Sequence, residues 1–163
     1  MVESLAPSNL SQIRRVQPDG AVLFCGNNFC VRVAVLKPGV LLVGVHGQVI
    51  DDQDVHAETA LLAEFDHELE RVGTFTMFAD LRESPHMPSA SRKRIAHWVR
   101  RHQARLLPSH VLVRSKLLEM ALTVVTMLVG SGVFKIHTDL QTFLAFVKKA
   151  APKLTELPRI PAP

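Results

Sequence analysis

The chain has 163 residues, of which 47% are hydrophobic, and a formal net charge of +4, which together fit one globular domain with a single core. Its longest apolar run, residues 120–129, falls short of the roughly 18 residues that a bilayer-crossing helix requires, and its N-terminus lacks the basic and apolar regions of a secretory signal. The sequence therefore predicts a cytoplasmic protein without a transmembrane segment.

Three unequal parts are expected along the chain. Residues 1–17 show no hydrophobic period and are predicted to be a flexible lead-in. Residues 18–150 carry the periodic segments of one α/β domain. Residues 151–163 contain four of the ten prolines and are predicted to be an extended, unfolded tail.

The domain is predicted to open with an antiparallel meander. The runs AVLFC, CVRVAVL and VLLVGVHG follow Gly20 and are separated by the turn signals Gly-Asn-Asn and Lys-Pro-Gly. Cys25 and Cys30 flank the first turn. Two buried thiols are the favoured interpretation of this pair, although the turn between them would also bring them close enough to form a disulfide.

The second half of the chain alternates helices and strands. An acidic helix over residues 51–72 is followed by the strand TFTMFADL, the loop RESPHMP and a basic amphipathic helix that begins at Pro88 or Ser89. The strand HVLVR, an apolar helix over residues 116–129, the strand VFKIH and a helix after Asp139 complete the order. Strand-helix-strand units imply parallel pairing, so the expected α/β fold is a mixed sheet of five to six strands with four helices packed on it.

The helix over residues 116–129 is apolar nearly all round. Such a helix must be buried on most sides, either inside its own domain or against a partner. A second copy of the chain is one candidate partner, so this helix predicts a homodimer contact.

Charge is distributed unevenly between the two central helices. Eight of the fifteen acidic residues lie in residues 51–70, which contain no Lys or Arg, and eight of the nineteen basic residues lie in residues 84–118, which contain no acid. This pattern either steers an anionic partner to one face or is the solvated face of each helix. The cations predicted to form a partner-binding or anion-binding surface are Arg82, Arg92, Lys93, Arg94, Arg100, Arg101 and Arg105.

The closing pattern VFKIHTDLQTFLAFV, the strand that ends in ADL before a helix-starting loop, and the short strand HVLVR resemble the STAS domain, in particular its SpoIIAA-like relatives. The resemblance covers roughly residues 30–150 and concerns the order of elements more than any motif. It implies a non-catalytic bacterial signalling domain that binds a regulatory protein. In some members of the family, phosphorylation of a serine at a helix start switches this binding.

Ser89 and Ser91 are the residues of this chain that match that serine position. The Asp-Ser-Ser/Thr-Gly motif of the family is replaced here by HMPSASRKR, without the preceding Asp or the following Gly. A phosphate on either serine would lie near helix N–H groups and near Arg92 and Lys93, which favours a dianion. The alternative is that Ser89 caps the helix and Ser91 is a solvated residue of its first turn.

No combination of residues predicts an enzyme or a metal site. The motifs HExxH, CxxC, GxSxG and the P-loop are absent, and His97 and His102 are spaced so that they diverge on a helix. Asp80 ends a strand, but the sequence places no nucleophile or second carboxylate beside it. We therefore expect no enzyme activity, no cofactor and no metal.

Three classes of function remain. The first is a STAS-like regulatory module that binds a protein partner through the loop and basic helix of residues 82–105. The second is a domain that binds an anion such as a lipid headgroup at a membrane surface; nucleic acid is disfavoured because Trp98 is expected to face inward and offers no stacking platform. The third is a small immunity-type protein that neutralises its partner. The sequence favours the first class.

Overall fold

The structure is a computed structural model and describes residues 13–130 and 132–163. In this part of the chain, seven β-strands form one sheet. They lie side by side in chain order as β1 Arg14–Val16, β2 Val22–Cys25, β3 Phe29–Lys37, β4 Val40–Gly47, β5 Thr76–Glu83, β6 Ser109–Leu112 and β7 Phe134–His137. The expectation of five to six strands is therefore wrong. The additional strand is β1, which lies inside the predicted lead-in and pairs with β2. All three of its residues are exposed, so it lacks the buried alternation by which strands are recognised. The remaining lead-in, residues 1–12, lies outside the described residues.

Four helices accompany the sheet in the described residues, as predicted: α1 Asp52–Val72, α2 Ser89–His102, α3 Lys116–Val129 and α4 Leu140–Ala150. Strands β1 to β4 pair antiparallel, whereas β4 to β7 pair parallel and are joined by α1, α2 and α3 in turn. Because the strand order never reverses and such crossovers are right-handed, the three connecting helices pack on the same face of the sheet. Helix α4 follows β7 and packs on the opposite face.

The two faces of the sheet carry two separate cores. Along β5, Ala79 and Leu81 belong to the larger core beneath α1, α2 and α3, whereas Phe78 packs with Phe143 of α4 in the smaller one. This division follows from the alternation of side chains along a strand. Trp98 of α2 is buried in the larger core, on the inner side of its helix where the apolar spacing places it.

The C-terminal tail, residues 151–163, carries no helix or strand yet lies against the sheet. Leu157 packs in the smaller core, and Ile160 lies so close to Gly44 of β4 that a Cβ atom at Gly44 would overlap its side chain. The carbonyl of Ile160 also lies 3.4 Å from Nδ1 of His46. The tail is therefore not the unfolded end that its prolines predict, because its apolar side chains cover sheet surface that would otherwise face water.

Cys25 and Cys30 form a disulfide across the first hairpin. They are paired in the register of β2 and β3, directly beside the turn, with their Cα atoms 4.2 Å apart. The favoured interpretation of two free thiols is wrong, because strand register places the two side chains opposite each other. The second possibility, a disulfide across the turn, is the one that the structure contains.

Asp54 connects the start of α1 to the turn of the first hairpin. Its side chain and that of Asp51 each accept a hydrogen bond from the other residue's backbone N–H, which forms a capping box. The buried carboxylate of Asp54 also accepts hydrogen bonds from the N–H groups of Asn28 and Ile50. Burial alone would raise the pKa of Asp54, but these hydrogen bonds together outweigh it and hold the pKa below its usual value.

We expect Asp54→Asn to lower the free energy of unfolding by about 2–4 kcal/mol at pH 7, because an amide replaces a buried carboxylate with several N–H donors. The pKa of Asp54 is depressed in the folded state, so its contribution is present above the unfolded-state pKa and is lost as the pH falls through the folded-state value. Urea denaturation should therefore show a smaller difference from the wild type at about pH 2.5 than at pH 7.

Asp52→Asn is the matched control for this change. Asp52 is exposed in the first turn of the same helix, and its loss should cost less than about 1 kcal/mol through the helix dipole. Equal destabilisation by the two substitutions, or a difference that does not depend on pH, would show that the Asp54 carboxylate does not hold this turn.

Candidate functional site

The start of α2 lies just beyond the carboxyl end of β5. Pro88 occupies the N-cap position without a side-chain hydrogen bond, and Ser89 is the first helical residue, with an exposed side chain. Ser91 is 2% exposed and accepts a hydrogen bond from Nη2 of Arg94. The interpretation of Ser89 as a cap and of Ser91 as a solvated residue is therefore wrong. Of the two candidate phosphorylation sites, Ser89 is the one that is accessible in the folded domain.

Arg94 is bound inside the domain by a carboxylate of the neighbouring helix. Its Nε donates to Oε1 of Glu58 at 2.5 Å, and Glu58 of α1 is 3% exposed. Helical spacing relates Arg94 to Arg101 on one basic face, but spacing within α2 does not reveal that α1 packs beside it. A buried carboxylate requires a compensating cation, so this ion pair ties α2 to α1.

Two further cations of the predicted set stabilise helix ends. Arg100 donates from Nε and Nη2 to the carbonyl of Leu128 in the last turn of α3. Arg105 donates to the carbonyls of Leu69 and Gly73 at the end of α1. The last carbonyls of a helix have too few donors within it, so each guanidinium adds hydrogen bonds there. The carbonyl of Leu69 already accepts one from the N–H of Gly73, and Arg105 adds a second.

Arg82 is separated from the other six cations of the predicted set by the sheet. It donates from Nε and Nη2 to the two carboxylate oxygens of Asp80, both at 2.9 Å. Asp80 lines a small space together with Leu157 and Ile160 of the tail, and its hydrogen bonds with Arg82 hold that guanidinium on the same face. The hydrogen bonds to Asp80 raise the pKa of Arg82.

The outer side of α2 is therefore basic, but it carries fewer available cations than the sequence predicts. Lys93 and Arg101 are exposed, and neither forms an ion pair with any described residue. Arg92 is half-buried and donates from Nη1 to the carbonyl of Met87 at 3.3 Å. These three residues are the members of the predicted set whose charge faces solvent without a carboxylate or a helix end to neutralise it.

Helix α3 exposes a row of apolar side chains. Its inner side is buried through Leu118, Leu122 and Val125. Its outer side carries five large apolar residues, each at least 45% exposed, which we call the α3 stripe: Leu117, Met120, Val124, Met127 and Leu128. The described part of the domain therefore covers one side of this helix and leaves the α3 stripe exposed. No helix in the described part of the chain, α3 included, is long and apolar enough to cross a membrane.

The titratable residues give no candidate metal centre: among the described residues, no group of three or more His, Cys, Asp or Glu side chains is arranged to hold an ion. The nearest approach is between His110 and His137, whose Nδ1 and Nε2 atoms lie 2.9 Å apart. Burial lowers the pKa of both rings, that of His110 to about 4. The two neutral rings pack against Phe78 and Phe146 as part of an aromatic cluster.

No protein-family model matches the chain, and the comparison with curated proteins finds no match. Solved structures do resemble it. The anti-sigma factor antagonist SpoIIAA in its unphosphorylated form aligns with a TM-score of 0.52 and 11% identity, covering 77% of this chain and 99% of that one. An uncharacterized DUF3478-family protein from Shewanella loihica with a SpoIIAA-like fold aligns with a TM-score of 0.53 and 13% identity, covering 73% and 93%.

A third structure, an anti-sigma factor antagonist from Mycobacterium paratuberculosis, covers 82% of this chain and 99% of its own, with 17% identity and a TM-score of 0.48. The two likenesses with the higher TM-scores show that the domain has the SpoIIAA-like fold, which confirms the resemblance seen in the sequence. Identities this low show the fold alone, so function has to be argued from the surface.

Arg94→Gln is expected to lower the free energy of unfolding by about 2–4 kcal/mol, because it leaves the buried carboxylate of Glu58 without its cation. Arg101→Gln makes the same change on the exposed side of the same helix and should alter stability by less than about 0.5 kcal/mol. Urea denaturation of both variants beside the wild type measures the difference.

A double variant separates the ion pair from other effects of these substitutions. Glu58→Gln with Arg94→Gln removes both charges and should cost less than the sum of the two single changes. If Arg94→Gln and Arg101→Gln are equally stable, or if the double variant is strictly additive, the ion pair does not hold the two helices together.

Proposed function

We propose that the chain is a non-catalytic regulatory module that binds a protein partner through the outer surface of α2 and α3. The observation that supports this most strongly is the α3 stripe. Soluble monomers rarely leave a contiguous row of large apolar side chains in water, and such patches mark interaction sites. Met120 and Met127 in the stripe have flexible side chains that adapt to a partner's surface.

Positive charge lies on the helix next to this stripe. Helix α2 packs against α3, and Arg100 joins the two through the carbonyl of Leu128. Lys93, Arg101 and, in part, Arg92 supply the available cations of α2. An apolar centre with a charged border is the usual composition of a protein–protein interface. The proposed partner therefore has a contact surface that is apolar in the middle and acidic at its edge.

Three of the other four predicted cations support this surface, and the fourth does not contact it. Arg94, Arg100 and Arg105 position α2 against its neighbours, and Arg82 lies across the sheet. We also propose that the module is not an enzyme. Asp80 is the acid at the end of a strand that could have served in catalysis, and both of its carboxylate oxygens accept hydrogen bonds from Arg82.

The fold supports the regulatory part of the proposal by analogy. SpoIIAA, which has the same fold, is an anti-sigma factor antagonist. Because one fold hosts many functions, this likeness favours a regulatory partner without identifying it. The α3 stripe and the cations of α2 then give that partner a specific place to bind.

Ser89 is the proposed modification site within this surface. It is exposed at the first position of α2, and Lys93 lies one helical turn further on. A phosphate at Ser89 would be favoured by the N-terminal N–H groups of the helix and would offset the charge of Lys93. Phosphorylation is therefore expected to weaken contact with an acidic partner. Ser91 is too buried to be modified in the folded domain.

Affinity capture from a lysate of the source organism, followed by mass spectrometry, tests the proposal. The variant Lys93→Glu/Arg101→Glu should lose a protein that the wild type retains, and Ser89→Asp should retain less of it, because both add negative charge to the proposed contact. The variant Lys148→Glu/Lys149→Glu is the matched control, since it reverses the same number of charges on exposed residues of α4, across the sheet. Circular dichroism establishes that each variant is folded.

The pattern across these variants distinguishes the remaining functions. Retention by the wild type and the α4 variant, with loss in the α2 variant, supports a specific contact. Equal loss in both charge variants would indicate unspecific electrostatic binding and contradict the proposal. If anionic vesicles bind the wild type and no protein does, the lipid-headgroup function takes its place. If the stripe only joins two copies of the chain, light scattering will show a dimer that Met120→Lys dissociates.

A further inference from the structure

A cavity of about 130 Å³ lies between the sheet and the helices α1 and α2. Its lining follows the whole of β5, from Phe75 before the first residue of the strand to Ser84 after the last. The lining is almost entirely apolar and includes Val43, Leu61, Phe65, Ala79, Ile95 and Trp98. Protein interiors are close-packed, and an apolar void of this size lowers stability when nothing fills it.

Two polar groups that can form further hydrogen bonds line one end of this cavity, near the carboxyl end of β5. The hydroxyl oxygen of Ser91 accepts a hydrogen bond from Arg94, but its own hydrogen has no acceptor among the described residues. Nδ1 of His86 is buried and has no hydrogen-bond partner among them either. Ser109, near the other end, already has both a donor and an acceptor partner. The cavity therefore has an apolar body and one end with spare hydrogen-bonding capacity.

We infer that this cavity binds a small, largely apolar molecule that carries one uncharged hydrogen-bonding group, an alcohol or a ketone. The oxygen of that group would accept a hydrogen bond from Ser91, and an alcohol would also donate to His86. A ligand pocket of this kind, apolar with a few placed polar groups, is the common type in proteins. Apolar cavities of about 150 Å³ hold benzene, so this one suits a ligand of about six non-hydrogen atoms.

The charge of the ligand follows from the ion pair at this end of the cavity. Glu58 lines the cavity and is neutralised by Arg94. A carboxylate or an ammonium group would therefore be buried beside charges that already balance each other, which is unfavourable. The cost of burying a further charge excludes fatty acids and amines as preferred ligands. Uncharged alcohols and ketones remain.

The site lies beneath α2 and is separate from the outer surface proposed to bind a partner. Ser91 and Trp98 face inward from the helix that carries Lys93 and Arg101 on its exposed side. Ligand binding in the cavity can therefore be tested without a partner protein. A negative result would not bear on the proposed protein contact.

Fluorescence of Trp98 reports occupancy directly, because this residue lines the cavity and is the one tryptophan of the chain. Titration of the wild type with 1-hexanol should give a saturable change in fluorescence and a higher melting temperature. Hexanoate at pH 7 should bind roughly tenfold or more weakly, because its charge would be buried. Ser91→Ala should weaken 1-hexanol binding roughly three- to tenfold through loss of one hydrogen bond. Ser89→Ala, the same change at an exposed position, should leave binding unchanged.

A second variant tests the cavity itself. Ala79→Leu places a larger side chain in the lining and should abolish the response to 1-hexanol while circular dichroism shows an intact fold. The absence of a saturable response in the wild type would overturn the inference, as would an equal effect of Ser91→Ala and Ser89→Ala, or a response that Ala79→Leu retains. If Ala79→Leu does not fold, the paired serine variants decide the question.

Discussion

The buried carboxylate of Glu58 ties α2 to α1, the two helices that enclose the cavity. Glu58 lies in α1 with 3% exposure, and a charge at such a position requires a cation, which Arg94 of α2 supplies. The same guanidinium donates to Ser91. This contact fixes α2 against α1 and turns Arg94 and Ser91 inward, while Ser89 and Lys93 stay outside. Helical spacing alone places these basic residues on one surface. The structure instead divides them between the side of α2 that faces the domain and the side that faces solvent.

Sheet topology decides which surfaces remain open. The strand order follows the chain, so right-handed crossovers place α1, α2 and α3 on one face and leave the other to α4 and the tail. Among the described strands the order never reverses, so the crevice that binds ligands in doubly wound sheets does not form. Our proposals therefore concern two other features: the outer surface of α2 and α3, and the cavity beneath α2.

The sequence predicts the order of elements and the inner residues of single helices, because both depend on local patterns. Apolar spacing places Trp98 inside, and the alternation of strands and helices predicts the parallel half of the sheet. What it does not predict depends on which surfaces meet. The pairing of Glu58 with Arg94 requires α1 beside α2, the Cys25–Cys30 bond requires the register of a hairpin, and the exposure of the α3 stripe depends on how much of the helix its neighbours reach.

If the α3 stripe contacts another protein, a crosslinker on the stripe should reach that protein and one on α4 should not. The most direct measurement replaces Met120 or, separately, Lys148 with a photoreactive amino acid in cells of the source organism and identifies the adducts by mass spectrometry. Met120 is 59% exposed within the stripe, and Lys148 is exposed on α4 across the sheet. We expect an adduct with one other protein at position 120 and none at position 148. Equal adducts at both positions, or none at position 120 other than a second copy of the chain, would contradict the proposed contact.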